Sequence, residues 1–151
     1  MKTKISNNEI GRASTFMVMS DFILNGYKAI VTDEAFPYDI VVEIDGEFKK
    51  IQVKSLTKKT KLQVNQKTQF YNFVMKQGRG SGKPYKNNQV DGFALVMLDI
   101  KQIAYLSKKG FDGWSVSLCD KEEIRRGRRN SNLSRRRFWQ DMTLDNLIKN
   151  I

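Results

Sequence analysis

Histidine is absent from the 151 residues, cysteine occurs once, at Cys119, and proline twice, at Pro37 and Pro84. Without imidazole there is no base for a serine or cysteine hydrolase that uses histidine, no His-metal nuclease, and no zinc finger needing several Cys or His ligands. One thiol closes no internal disulfide. No apolar run reaches the roughly eighteen residues of a membrane span, and the opening Met1-Lys2-Thr3-Lys4-Ile5-Ser6-Asn7-Asn8 lacks the apolar centre of a signal peptide. The expectation is a soluble cytoplasmic protein with no membrane partner. Any catalysis must then run on carboxylates, lysine and metal.

Acidic residues are missing over one long interval. Residues 49 to 90 hold 11 basic side chains and no acid, whereas residues 1 to 48 hold 4 basic and 8 acidic ones. The whole chain has 27 Lys and Arg against 16 Asp and Glu, a net charge of +11. That excess favours a polyanionic partner, although a ribosome-associated or membrane-surface protein would satisfy the total equally. With 40% apolar residues, the length suits a single domain over residues 1–151 with a true core.

The most informative stretch runs from Pro37 to Ser55. Ile40, Val42 and Ile44 alternate with Val41 and Glu43, Asp45-Gly46 is a turn signal, and Phe48, Ile51 and Val53 resume an apolar pattern among lysines and Gln52. This is strand periodicity around a tight turn, hence a hairpin. Side chains reverse at every strand residue, so Asp39 faces away from Ile40 and Val42, and Gln52 and Lys54 face away from Ile51 and Val53. A carboxylate, an amide oxygen and an ammonium group then share one face. Hard divalent cations take oxygen ligands, the water they hold loses its proton more easily, and a lysine beside them can orient that water and offset charge on a phosphate.

Pro37-Tyr38-Asp39 followed by Gln52-Val53-Lys54 resembles the signature of the PD-(D/E)xK nucleases, an Asp at a strand end and an acid, one spacer and Lys on the next strand. It is most similar to the branch of intron homing endonucleases and resolvase-like members. The resemblance implies an α/β fold with a restriction-endonuclease-like core, a mixed central sheet flanked by helices, acting on double-stranded DNA with Mg2+, for which Mn2+ can substitute. It further implies a metal held by Asp39, Gln52 and the Val53 carbonyl, with Lys54 preparing the water, and a first-helix acid, Glu9, at a second ion or water. Glu9 also suits a first-turn acid that complements the helix dipole. Gln52 stands where an acid is commoner, which leaves the site one negative charge short.

Asn8 to Gly26 is expected as a helix with Ile10, Ala13, Met17, Asp21 or Phe22, and Leu24 on its apolar side, and Tyr27 to Val31 as a strand. Asp33 and Glu34 fall in the following loop, solvated or as secondary ligands. Beyond the hairpin, Lys58, Lys59, Lys61, Lys67, Arg79, Lys83 and Lys86 are interleaved with Phe70, Tyr71, Phe73 and Tyr85, a mixture that grips phosphates and touches bases. Thr68 to Lys76 is compatible with helix or strand. Gly78 to Lys83 has the composition of a surface loop and does not match a Walker motif. Val90 to Leu98 reads as a buried strand, with Gln102 to Leu106 beside it and Trp114 to Leu118 as an edge strand. Asp91 is expected to be structural, contacting Tyr105 or the neighbours of Lys54.

Arg125, Arg126, Arg128, Arg129, Arg135, Arg136 and Arg137 suit forked contacts to phosphate or guanine. With the segment at about 56–90 they form the second of two expected DNA-contacting regions, at 121–137. The apolar piece from Phe138 to Ile151, capped by Thr143, is expected on the core or against a second subunit. A homing endonuclease, acting as a homodimer or homotetramer because each site cuts one strand, is the leading expectation. A junction resolvase or a non-catalytic basic nucleic-acid-binding module are the alternatives.

Overall fold

The computed structural model describes residues 4–61, 69–78, 82–122 and 137–151. Helix α1 spans Asn7–Leu24. It opens on a capping box: Ser6 Oγ accepts from the Glu9 N–H while the Glu9 carboxylate accepts from the Ser6 N–H, so two orphan donors are satisfied reciprocally. It closes at Asn25, followed by Gly26 at φ +89°, the left-handed stop that glycine adopts without strain.

The buried stripe of α1 is Ser14, Val18 and Phe22, at i, i+4 and i+8. Ile10 and Met17 flank it, but Ala13 is exposed and Leu24 is 85% exposed, contrary to the sequence expectation. Ser14 escaped notice because it is polar, and it is satisfied by donating back to the Ile10 carbonyl at 2.8 Å.

Strands β1 (Lys28–Val31), β2 (Ile40–Ile44), β3 (Glu47–Leu56), β5 (Gly92–Met97) and β6 (Gln102–Ser107) form a mixed sheet in the order β1-β2-β3-β5-β6. Only the β3–β5 pair is parallel. The β2–β3 turn has positive φ at both Asp45 (51°) and Gly46 (82°), as a two-residue hairpin of right-handed twist requires. Strands β4 (Tyr71–Val74), β7 (Ser115–Cys119) and β8 (Arg137–Phe138) form a second sheet in the order β4-β7-β8. Residues 71–74 are thus strand, and the segment expected at a sheet edge lies in the middle of this smaller sheet.

One face of the large sheet carries Ile40, Val42, Ile44, Ile51 and Val53 against Val18 and Phe22 of α1 and against Leu144 and Leu147 of α2 (Leu144–Ile148). Thr143 caps α2 through the Asn146 N–H, as expected, and the C-terminal piece packs on the core. Gly92 allows that: a Cβ there would lie 2.7 Å from Leu147 Cδ1. The opposite face, with Phe93, Leu95 and Met97, is covered by Tyr71, Phe73, Val116 and Leu118 of the smaller sheet. Asp91 is structural, but its carboxylate accepts from the Lys50 N–H at 2.7 Å. The Tyr105 hydroxyl instead donates to Asp21, tying β6 to α1. Among the described residues no helix is long and apolar enough to cross a membrane.

Phe22 is fully buried, edge-on to Tyr27 and Tyr105. Phe22→Ala should lower the unfolding free energy by about 3–5 kcal/mol in urea titration, whereas Leu24→Ser should stay within about 0.5 kcal/mol of the parent. Comparable losses from both would contradict the helix face described here.

Candidate active site

Strand β2 begins only at Ile40, opposite Ile51, while β3 continues past that pair to Leu56. The pairing of Ile40 with Ile51 sets Asp39 across from Gln52. The Asp39 backbone is held on both sides: its N–H donates to the Ile51 carbonyl at 3.0 Å and its carbonyl accepts from the Thr32 N–H at 2.9 Å. The Asp39 side chain then continues the ladder past the start of β2. Its Oδ2 accepts from the Val53 N–H at 2.8 Å and from Gln52 Nε2 at 2.5 Å, and the same Nε2 donates to the Val53 carbonyl at 3.1 Å.

A single amide nitrogen thus stands between a carboxylate oxygen and a backbone carbonyl. Rotating the Gln52 amide by half a turn presents its oxygen instead, and the three groups become an all-oxygen donor set suited to a hard cation such as Mg2+. The residues therefore fit the metal that the resemblance implies. Among the described residues no three His, Cys, Asp or Glu side chains come together. A cation here would rest on one protein carboxylate and would depend on phosphate oxygens for further negative charge.

Lys54 follows on the same face. Its Nζ donates to the Lys76 carbonyl at 3.0 Å and lies 5.1 Å from the centroid of the Tyr85 ring. Burial pulls the Lys54 ammonium pKa below its ordinary value, against the Asp39 charge, which raises it. Burial pushes the Asp39 carboxyl up, opposed by the Val53 N–H, the Lys54 charge and the Gln52 amide. Tyr85 stays protonated, its pKa raised by burial first and the Asp39 charge second.

Asp39 and Gln52 line hollows on both sides of the hairpin end. One, of about 470 Å3, runs between α1 and the β1–β2 loop past Asn8, Gly11, Arg12, Thr15, Asp33 and Glu34. The other, also about 470 Å3, is bounded by Phe36, Gln77, Gly78, Tyr85 and Gln89. Glu9 lines neither. Its Oε2 accepts from both the N–H and the hydroxyl of Ser6 at 2.7 Å, which holds its pKa below the ordinary value. Glu9 caps α1 through Ser6, while Asn8, Gly11, Arg12 and Thr15 line the hollow beside Asp39.

Of the cations expected on DNA, Lys58, Lys61, Lys83 and Lys86 are exposed. Lys59 lies over the Tyr71 ring at 5.2 Å. Arg137 stacks on Phe111 at 5.2 Å, beside a different hollow that Asn146 and Asn150 help to line. Lys67, Arg79, Arg125, Arg126, Arg128, Arg129, Arg135 and Arg136 lie outside the described residues. Sequence reasoning did not single out Arg12, which belongs with Asn8, Gly11 and Thr15 to a stripe at helical spacing lining the hollow. It read Tyr85 among the aromatics of the basic segment but not its contact with Lys54.

The model of the PD-(D/E)XK endonuclease family matches residues 5–142. Among solved structures, the chain is similar in fold to a bacterial homing endonuclease, I-Ssp6803I, with 18% identity and a TM-score of 0.65 over 86% of this chain and 88% of that one. No curated protein matches the sequence.

Because the Asp39 pKa is raised on folding, the native protein holds that proton more readily than the unfolded chain does. Ionised Asp39 therefore lowers stability above its folded pKa, and the deficit is relieved as pH falls through that value toward the ordinary 3.8. Asp39→Asn should raise Tm at neutral pH without divalent ions, at about 2–4 °C per kcal/mol for this size, and the gain should vanish in acid. Mg2+ should raise the Tm of the parent alone. An equal Mg2+ response in the variant would separate Asp39 from metal binding.

Proposed function

The chain belongs to the PD-(D/E)XK endonuclease family, and from that premise we propose a Mg2+-dependent, site-specific endonuclease of double-stranded DNA, of the homing type, that hydrolyses phosphodiester bonds. The observation that carries this reading is the convergence of the Asp39 carboxylate, the Gln52 amide and the Val53 carbonyl, with the Lys54 ammonium on the same strand face.

When bound, the cation supplies positive charge beside the scissile phosphate and lowers the pKa of the attacking water. Asp39, the Val53 carbonyl and Gln52, its amide turned oxygen-first, would hold it just before the start of β2. Lys54, with one N–H on the Lys76 carbonyl, donates its others to the water and the phosphate; it orients the one and offsets the charge that builds on the other. The water oxygen forms a bond to phosphorus as the bond from phosphorus to one ester oxygen breaks. The water loses a proton to solvent, and the leaving oxygen takes one from solvent to become a hydroxyl. The two hollows beside Asp39 leave the phosphate accessible from either side of the hairpin. Arg12 on one wall, and Lys83 and Lys86 on the loop beyond the other, supply cations to the adjoining backbone.

The fold shared with a bacterial homing endonuclease, together with basic segments at about 56–90 and 121–137 able to follow a long target, favours the homing role over junction resolution. One such site cuts one strand, so a double-strand break calls for two sites related by symmetry, in a homodimer or homotetramer.

Asp39→Ala and Lys54→Ala should each retain duplex affinity in Ca2+ and lose about 10²-fold or more of the cleavage rate in Mg2+. The substrate for this assay is a duplex from host genomic DNA that the unaltered protein cuts. Unimpaired cutting by either variant removes the catalytic assignment, and Mg2+-independent binding without products from the parent identifies a binding module instead. Light scattering of the complex with that duplex should return a mass of two or four chains; a single chain on a doubly cut duplex would refute the symmetric assembly.

A further inference from the structure

The Lys54 ammonium is held by the connection between β4 and β5, not by the hairpin that carries it. It donates to the Lys76 carbonyl at 3.0 Å and faces the Tyr85 ring at 5.1 Å. Tyr85 is 7% exposed and is wedged edge-on against Phe93, with ring centroids 5.4 Å apart at 70°. Phe93 is the β5 residue paired with Gln52. The ring is thus fixed on one side by the strand next to the site and offers its π face to the amine.

The loop that presents Tyr85 is closed at its base. Lys76 and Pro84 bridge across it, and the Gln77 N–H donates to the Lys83 carbonyl at 2.8 Å. Gln89 Oε1 accepts from both Gln77 Nε2 at 2.5 Å and the Lys86 N–H at 2.7 Å. A lysine side chain has four rotatable bonds and samples many rotamers unless its end is caught. Here a carbonyl catches it along one direction, and an aromatic face, to which a cation is attracted electrostatically, closes off a second.

We propose that Tyr85 is a positioning residue for phosphodiester cleavage: its ring keeps the Lys54 ammonium on the Asp39–Gln52 side of the sheet, within reach of the attacking water and the phosphate. The inference rests on the reading of Lys54 as the amine of the site. Exposed Lys83 and Lys86 flank Tyr85 in the chain, so the loop that grips the substrate backbone also sets where the amine stands. The phenol hydroxyl plays no part in this; the ring face does.

The test is single-turnover cleavage, in Mg2+, of a host genomic duplex that the unaltered protein cuts, with full-length Tyr85→Leu, Tyr85→Met and Tyr85→Phe. Leu and Met fill space without a π face and should slow the cleavage step about 10- to 100-fold, as misplacement of a reacting group does, with duplex affinity unchanged. Phe keeps the face and should restore the parent rate. Melting temperatures show which variants are folded, and Met serves if Leu is not. Parent-like rates in folded Leu or Met variants, a Phe variant as slow as they are, or a loss confined to KM overturns the proposal. Lys54→Ala separates the two readings. If it cuts normally, the site assignment itself fails; if it is inactive while Tyr85→Leu cuts normally, only the role of Tyr85 fails.

Discussion

A strand that outruns its neighbour leaves backbone groups without a ladder partner, and those groups must be satisfied. That is the condition at the open end of the β2–β3 hairpin, where β2 begins only at Ile40 and β3 continues past it to Leu56. The Val53 N–H finds the Asp39 carboxylate and the Val53 carbonyl finds the Gln52 amide. The side chains that form the candidate site thus also complete the sheet. The Val53 carbonyl belongs to the uncovered edge of β3, and the Asp39 carboxylate is drawn to the same place by the Val53 N–H.

The electrostatics follow from the depth of this edge. Asp39 and Lys54 are each partly withdrawn from water, burial disfavours both charges, and each charge supports the other. Among the described residues, Lys58, Lys61, Lys83 and Lys86 lie exposed on the surface.

The two faces of the central sheet divide the work. One is sealed by α1 and α2 over a core of Val18, Phe22, Ile40, Val42 and Ile51. The other is covered by the smaller sheet only beyond Gln52, which leaves Asp39 and Gln52 at the boundary between packed interior and open surface. The β4–β5 connection crosses that boundary and brings Tyr85 and the Lys76 carbonyl to Lys54. The acid precedes β2 and the amine stands on β3, while the groups that hold the amine come from a separate part of the chain.

Local order was legible from residues alone. The alternation through Ile40, Val42 and Ile44, the Asp45-Gly46 turn and the run from Gly92 to Met97 each specify a strand, because burial on a pleat repeats every two residues or fills both faces. The same alternation set Asp39, Gln52 and Lys54 on one face before any coordinates were known. The apolar side of α1 was misjudged at Ala13 and Leu24, since a weakly amphipathic helix does not announce which stripe a sheet will cover. Glu9 could be read as ligand or cap from its position; the fold shows it capping α1 through Ser6, with Asn8, Gly11, Arg12 and Thr15 lining the hollow beside Asp39. The strand at 115–119 looked like an edge because its partners, 45 and about 20 residues away, are invisible to any local pattern. Periodicity records which way a side chain points within its own element. Which groups meet across elements, as Tyr85 meets Lys54, is a property of chain closure and is settled only when the sheets pack.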